Sequence, residues 1–339
     1  MTPGWFVCFL LFFRLISSWV AVTGGAGFVG RSIVAQLLHE GYTVRVLARD
    51  AKEARRLLGA SDKLTVITGD ILDEMCLEDL LKGAQACVHL IGIIREASGG
   101  QTFEKCHVEA TRAVVKACER LGVKRYLHMS ALGVSELGTT AYQKSKWRAE
   151  RIVADSSLKW TIFRPSLIHG KGSEFIAMIT GLASGNEPPY LFIPYFVGEK
   201  ADDTVPLGSV ERPIPRVQPV YVGDVARSFV SALKREEAVG EIYNLAGSET
   251  LAWPSLLKTL RDATHGKESL QPVGVPAKVA SIGAMVAKHV GLGALLPFDE
   301  GMPIMAAQDS LAETTKAQQH LGVRYSGFAE SLATYADQL

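Results

Sequence analysis

The chain has 339 residues, a formal net charge of +1, and is 47% hydrophobic and 21% charged. That balance excludes a disordered or low-complexity chain, and the length suits one large α/β domain or one domain plus a smaller lobe. Near-neutral charge with no clustered basic stripe argues against a nucleic-acid partner.

In chain order, residues 1–18 form an N-terminal extension whose Trp5–Phe13 stretch is wholly apolar before Arg14 interrupts it. It is too short for a straight spanning helix, which needs about 20 residues. It also lacks the basic start and small-residue cleavage site of a secretory signal. It reads as a start extension or tail, with a membrane-surface anchor or a strand-flanking segment as the alternatives.

From residue 19 to about 170 the pattern is that of a Rossmann domain. Short apolar runs at Trp19–Thr23, Thr43–Leu47, Leu64–Ile67, Ala86–Ile91, Arg125–Met129 and Trp160–Phe163 predict strands buried on both faces. Helical stretches at Ser32–Glu40, Phe103–Leu121 and Ala141–Ala154 separate them. In the longest, Ala110, Ala113, Val114, Ala117 and Leu121 make one apolar face, and Gly122 stands where a left-handed cap is needed. Such alternation predicts an α/β fold, a doubly wound parallel sheet.

Residues 171–339 read as a smaller, mixed region capping the substrate side, with Rossmann elements returning over 217–246. Within it, 183–219 is rich in proline, glycine and aromatics and is expected to be a loop-rich insertion. Ala277–Val290 predicts an amphipathic helix with Val279, Ile282, Val286 and Val290 on one side, expected to pack that side onto the body. The five cysteines (Cys8, Cys76, Cys87, Cys106, Cys118) form no CxxC pair or ligand spacing, so free thiols in a reducing, cytoplasmic compartment and no metal site are expected.

The strand Val20–Thr23 runs through Gly24-Gly25-Ala26-Gly27-Phe28-Val29-Gly30 into a helix. Gly24 permits a tight turn, Gly27 lets backbone approach a pyrophosphate, and Gly30 lets the helix pack on the strand. The helix N-terminus then offers unpaired N–H donors and its positive dipole end. In this strand–turn–helix context the glycines point to a dinucleotide, with Thr23, Phe28 and Val29 flanking the contact. The second strand ends Ala48-Arg49-Asp50, with alanine where an acid would hold the ribose hydroxyls of NAD. Arg49, with Arg31 after the last glycine, suits a 2′-phosphate, which favours NADP(H) over NAD(H). A one-residue shift would put Asp50 at that position. Asp70, read as closing the third strand, and Ile71 are placed at the adenine. Leu90 and Gly92 end the fourth strand, where Gly92 allows close approach of the cofactor. His89 reads as a core histidine.

Tyr142 and Lys146 lie four apart at a helix start and so share a face. Ser130 follows the preceding strand at the carboxyl edge. An ammonium near a phenol is expected to lower the phenol's pKa, allowing Tyr142 to exchange a proton with a substrate oxygen that Ser130 also holds.

These residues resemble a family. The TGGAGFVG turn, the Ser130–Tyr142–Lys146 set, Arg164-Pro165 and Pro219–Ala226 resemble the extended and atypical short-chain dehydrogenases/reductases, the NAD-dependent epimerase/dehydratase group. Leu90–Glu96, Phe103–Thr111, His128–Gly133, Trp160–Ser166 and Gln218–Val222 are similar to bacterial relatives of the nucleotide-binding accessory subunit of respiratory complex I. The resemblance implies a tightly held NADP(H), with Arg164 and Pro165 beside it. It leaves open an oxidoreductase or epimerase acting on a small carbonyl, sugar or isoprenoid-like substrate, and a non-turning accessory or assembly module of a respiratory or quinone-related membrane complex. A regulatory NADP(H) sensor is the third class. Peripheral contact with the cytoplasmic face of a membrane or with a respiratory complex is implied; substrate and oligomeric state are not legible.

Overall fold

A computed structural model of the chain describes residues 19–97, 99–201, 210–293 and 296–339. The apolar extension at 1–18 lies outside the described residues. The first half follows the expected alternation: β1 (Trp19–Thr23), α1 (Phe28–His39), β2 (Thr43–Ala48), α2 (Ala51–Leu58), β3 (Leu64–Thr68), α3 (Glu74–Leu81) and β4 (Ala84–His89). Then come α4 (Ala110–Leu121), β5 (Arg125–Met129), α5 (Ala141–Ala154) and β6 (Lys159–Pro165). The second half begins with β7 (Ile168–His169), α6 (Glu174–Ser184), β8 (Ile193–Val197), β9 (Lys200–Ala201), β10 (Val210–Glu211) and β11 (Arg216–Val217). It continues through β12 (Val220–Tyr221), α7 (Val222–Leu233), β13 (Glu241–Leu245), β14 (Leu251–Ala252) and α8 (Trp253–Ala263). The chain closes on β15 (Pro272–Pro276), α9 (Ala277–His289), α10 (Met302–Ala306), α11 (Thr315–Leu321) and α12 (Phe328–Leu332).

Seven strands form one parallel sheet in the order β3-β2-β1-β4-β5-β6-β13. Its strands are short valine-rich runs because both faces are covered. Val20, Val22, Val44, Val46 and Val88 join Ile33 and Leu37 of α1 and Val225 and Phe229 of α7 in one cluster. Ala21, Cys87, Tyr126 and Ile162 join Leu77 and Leu80 of α3 and Val114 and Cys118 of α4 in the other. The helix α4 ends at Gly122, whose φ of +75° is the left-handed cap. Strand order reverses between β1 and β4, and at such a switch point the carboxyl ends leave a crevice for a ligand.

Two expectations change. The 183–219 stretch is not all loop: β8 pairs in parallel with β15, Ile193 opposite Pro272 through Val197 opposite Pro276, and β9 pairs with β10. Proline tolerates an edge or a strand start, and β15 both begins and ends on one. The third strand stops at Thr68 rather than Asp70. A Cβ on Gly69 would lie 2.2 Å from Cys76 Sγ, so α3 crosses close to the chain at this point.

Candidate active site

Each glycine of the β1–α1 turn has a measurable reason. Gly24 holds φ +72°, and its carbonyl accepts the Gly27 N–H at 3.1 Å. A Cβ on Gly30 would lie 2.2 Å from Gly24 O and 2.7 Å from Gly25 Cα, so no side chain fits between helix and turn. No side chain caps the first turn of α1. The first-turn N–H groups are therefore left for an external acceptor such as an anion. Gly30→Ala should lower stability by about 1–3 kcal/mol through overpacking. It should also erase any rise in melting temperature that added NADH or NADPH produces in the wild type in a thermal shift assay.

A cleft of about 630 Å³ opens at the switch point. Gly24, Gly27, Arg49, Asp70, Ile71, Leu90 and Gly92 of the expected set line it. The others lie elsewhere. Thr23 is fully buried, its hydroxyl 2.7 Å from His89 Nδ1, and ties the ends of β1 and β4 together behind the cleft. Val29, Gly30 and Pro165 are buried and Phe28 packs against the core. The Arg31 guanidinium lies against Gly172, where a Cβ would be 2.7 Å from it, beyond the cleft lining. Arg164 is held by Glu150 of α5 in a two-pronged pair at 2.8 and 2.5 Å. Glu150 is 2% exposed, so this charge pair fixes α5 to β6.

At the specificity position β2 ends on Ala48, and Arg49 makes no hydrogen bond or ion pair among the described residues. Asp50 is engaged: its carboxylate accepts the Glu53 N–H at 2.9 Å and caps α2. Glu53 in turn pairs with Arg56. Asp70 closes a turn by accepting the Leu72 N–H at 2.9 Å.

The helix α5 starts where it does because Thr140 and Gln143 form a reciprocal cap. That cap puts Tyr142 in the first turn and Lys146 one turn later. Lys146 Nζ donates to Met129 O at 3.1 Å, at the end of β5, and a Cβ on Gly92 would lie 2.8 Å from it. Gly92 thus brings the cleft wall against the ammonium. Burial pushes Lys146 down to about 8, with Glu150 acting in the opposite sense. Ser130, next along from Met129, is buried and its Oγ has no partner among the described residues. Tyr142 stands edge-on to Phe103 and His107, with ring centres 5.8 and 5.5 Å away. Contrary to expectation its phenol is not lowered: desolvation holds it up at about 12. Tyr142 lines a second hollow of about 260 Å³ with Phe103, Thr139, Asp299 and Ile304. Burial also raises the Asp299 carboxyl, against the N–H groups of Met302 and Gly301 that it accepts.

The residues missed by sequence reading are the polar groups behind this set. A π-helical turn, Glu104–Glu109, precedes α4 and turns His107 inward. His107 Nδ1 meets Ser145 Oγ at 2.8 Å, and Nε2 meets the Ile93 backbone at 3.1 Å. His89, a core histidine as expected, bridges Thr23 and Thr111 and stacks on His128 at 5.5 Å. His128 is buried with both ring nitrogens unpartnered among the described residues. The only sequence signal was the four-residue spacing of Phe103, His107 and Thr111.

The parallel sheet, the glycine turn and the switch-point cleft make a doubly wound, Rossmann-like fold. Residues 24–183 match the NAD(P)H-binding family. The chain is 28% identical over 280 residues to mouse NADH dehydrogenase [ubiquinone] 1 alpha subcomplex subunit 9, mitochondrial, covering 82% of this chain and 68% of that one. It is 31% identical over 153 residues to the ceramide reductase of Caulobacter vibrioides, covering 45% of this chain and 47% of the enzyme, so it spans only about half of that relative. Among solved structures, the epimerase Mth375 of Methanothermobacter thermautotrophicus shares the fold at a TM-score of 0.70 and 18% identity, over 94% and 91% of the two chains. The chain is therefore homologous both to a complex I accessory subunit and to reductases. No helix among the described residues is long and apolar enough to cross a membrane.

Proposed function

We propose that the protein is an NADP(H)-dependent oxidoreductase of the epimerase/dehydratase group acting on a small carbonyl, sugar or isoprenoid-like substrate. One observation carries this reading: the buried Lys146 ammonium, hydrogen-bonded to Met129 O, packs against Gly92 of the cleft wall, and the next residue after Met129, Ser130, has an unpartnered hydroxyl. A nicotinamide in that cleft would supply or accept the hydride. Ser130 Oγ–H donates a hydrogen bond to the substrate oxygen. Tyr142 gives that oxygen its proton on reduction and takes it back on oxidation, and the Lys146 charge eases the phenolate left behind. The free α1 N–H groups hold the pyrophosphate. Arg49 holds the 2′-phosphate: it lines the cleft with no partner among the described residues, whereas Asp50 caps α2 through one carboxylate oxygen and Glu53 pairs with Arg56.

Arg49→Ala should weaken NADPH binding about ten- to a hundredfold, the worth of a charge-assisted phosphate contact, and leave NADH binding nearly unchanged. Fluorescence titration with both nucleotides checks it, and equal losses for the two would remove the NADP(H) preference. The reaction is tested by releasing nucleotide from the purified protein, identifying it by mass, and following nicotinamide absorbance when carbonyl or quinone compounds are added. Bound NADPH that is oxidised supports the enzyme. Bound NADPH that stays inert supports the second reading, a cofactor-stabilised accessory module, which the high Tyr142 phenol and the similarity to the complex I subunit favour.

A further inference from the structure

The helix α9 is amphipathic in the reverse of the expected sense. Its small residues face the body: Ala277 and Ala284 are buried, and Ala280, Ser281 and Ala287 are partly so. Its large aliphatic residues face outward, with Val279 62%, Ile282 57%, Val286 53% and Val290 63% exposed. Met285 and, just beyond the helix, Leu292 extend the same exposed surface. At 3.6 residues per turn, Val279, Ile282, Val286 and Val290 form one stripe, centred opposite the alanines.

The stripe's own stretch of chain carries only cations, with Asp299 and Glu300 following it directly. From Ser269 to Phe298 the chain carries Lys278, Lys288 and His289 and no carboxylate. Lys288 reaches Glu300 at 3.2 Å, both side chains remaining about half exposed. The Arg95 guanidinium rests on the Leu296 carbonyl at 2.9 Å and adds another exposed cation to that end.

We infer that α9 is a membrane-surface helix that seats this stripe in the headgroup boundary of an anionic bilayer. Apolar side chains flanked by lysines are what such a surface holds: the aliphatic groups enter the acyl boundary while the lysine stems reach back to the phosphates. A second copy of the chain fits less well. A helix of thirteen residues is about 20 Å long and offers a face of roughly 200 Å². A stable interface takes about 800 Å² from each partner. The resulting orientation places the α9–α10 side of the protein, which carries Asp299 and Ile304 of the Tyr142 hollow, toward the lipid.

The test is co-sedimentation of the full-length protein with vesicles of phosphatidylcholine alone or of phosphatidylcholine mixed with phosphatidylglycerol. The wild type should sediment with the anionic vesicles, less with the neutral ones, and less again in high salt. The double variant Ile282→Asp/Val286→Asp changes only exposed positions, so it should keep its NADPH binding and circular dichroism while vesicle binding falls at least about tenfold. Wild-type protein left in the supernatant, or equal binding to neutral vesicles, overturns the proposal. So does undiminished binding by the double variant, because both proteins keep residues 1–18 and an affinity carried by Trp5–Phe13 would survive. A wild-type dimer in light scattering that the double variant splits would reassign the stripe to self-association.

Discussion

Tyr142→Phe should bind NADPH as the wild type does and lose turnover by about a hundred- to ten-thousandfold, the range a positioned general acid supplies. The substitution removes one oxygen and keeps the ring, so the edge contacts to Phe103 and His107 survive. Tyr142 does not line the cofactor cleft, which is why affinity should hold while turnover falls. The acid–base step also has a pH signature. With Lys146 near 8, the rate should bend near that pH as the charge proposed to ease the Tyr142 phenolate is lost. Lys146→Met should remove the bend along with most of the rate. Full activity in Tyr142→Phe would remove the proton donor and move the protein to the accessory-module reading.

Acid should unfold the protein at about pH 5, well before its carboxylates are neutralised. Four buried histidines are held neutral: His89 at about 3, His107 at about 2, His169 at about 4, and His128 well below the ordinary 6.5. Desolvation is the first cause in every case, and Lys146 adds repulsion at the first two and at His128. In the unfolded chain each would take a proton as pH falls through 6.5; in the folded chain each refuses it. The unfolded state thus binds more protons, and stability drops with falling pH until the folded values are reached. At about pH 5 the loss is roughly 2 kcal/mol for each of His89, His107 and His169, about 6 kcal/mol together, with His128 acting in the same direction, comparable with the whole stability of a typical domain. Lys146 does not offset it, because below about 8 it is protonated in both states. Urea melts monitored by circular dichroism between neutral pH and pH 5 measure the slope. His128→Phe deletes one titration and two unpartnered nitrogens, so its acid midpoint should move down. A flat stability profile would mean the histidines protonate in place.

Most of the sheet was legible because its strands are apolar on both faces and its glycines have steric duties that leave no alternative. Gly30 cannot carry a Cβ, and that kind of constraint shows in sequence. The helix α1 begins at Phe28, four residues before the periodicity suggests, because Gly27 at its cap and Gly30 in its first turn mask the signal. The π turn before α4 was read as plain helix, since nothing in Glu104–Glu109 marks a widened turn. Periodicity located α9 and its stripe but not the direction of the stripe. Five small residues on the opposite side let that face approach the body more closely than the valines could. The candidate site divides the same way. The residues expected to let backbone approach a cofactor, Gly24, Gly27 and Gly92, fell in the cleft. Long side chains did not follow: Arg31 turned to Gly172, and Arg164 was claimed by a carboxylate fourteen positions earlier in the chain.

The seventh strand comes from residues 241–245, beyond the match to the NAD(P)H-binding family at 24–183. Val323 and Tyr325, near the C-terminus, join the same core as Val20 of the first strand. A polypeptide truncated at residue 183 would therefore end with the β6 edge bare and ready to pair with another chain. The two halves should melt in a single cooperative transition, and limited proteolysis should fail to release a stable nucleotide-binding fragment. Any partner engaging the C-terminal half would then be felt directly as a change in how firmly the first half holds its nucleotide.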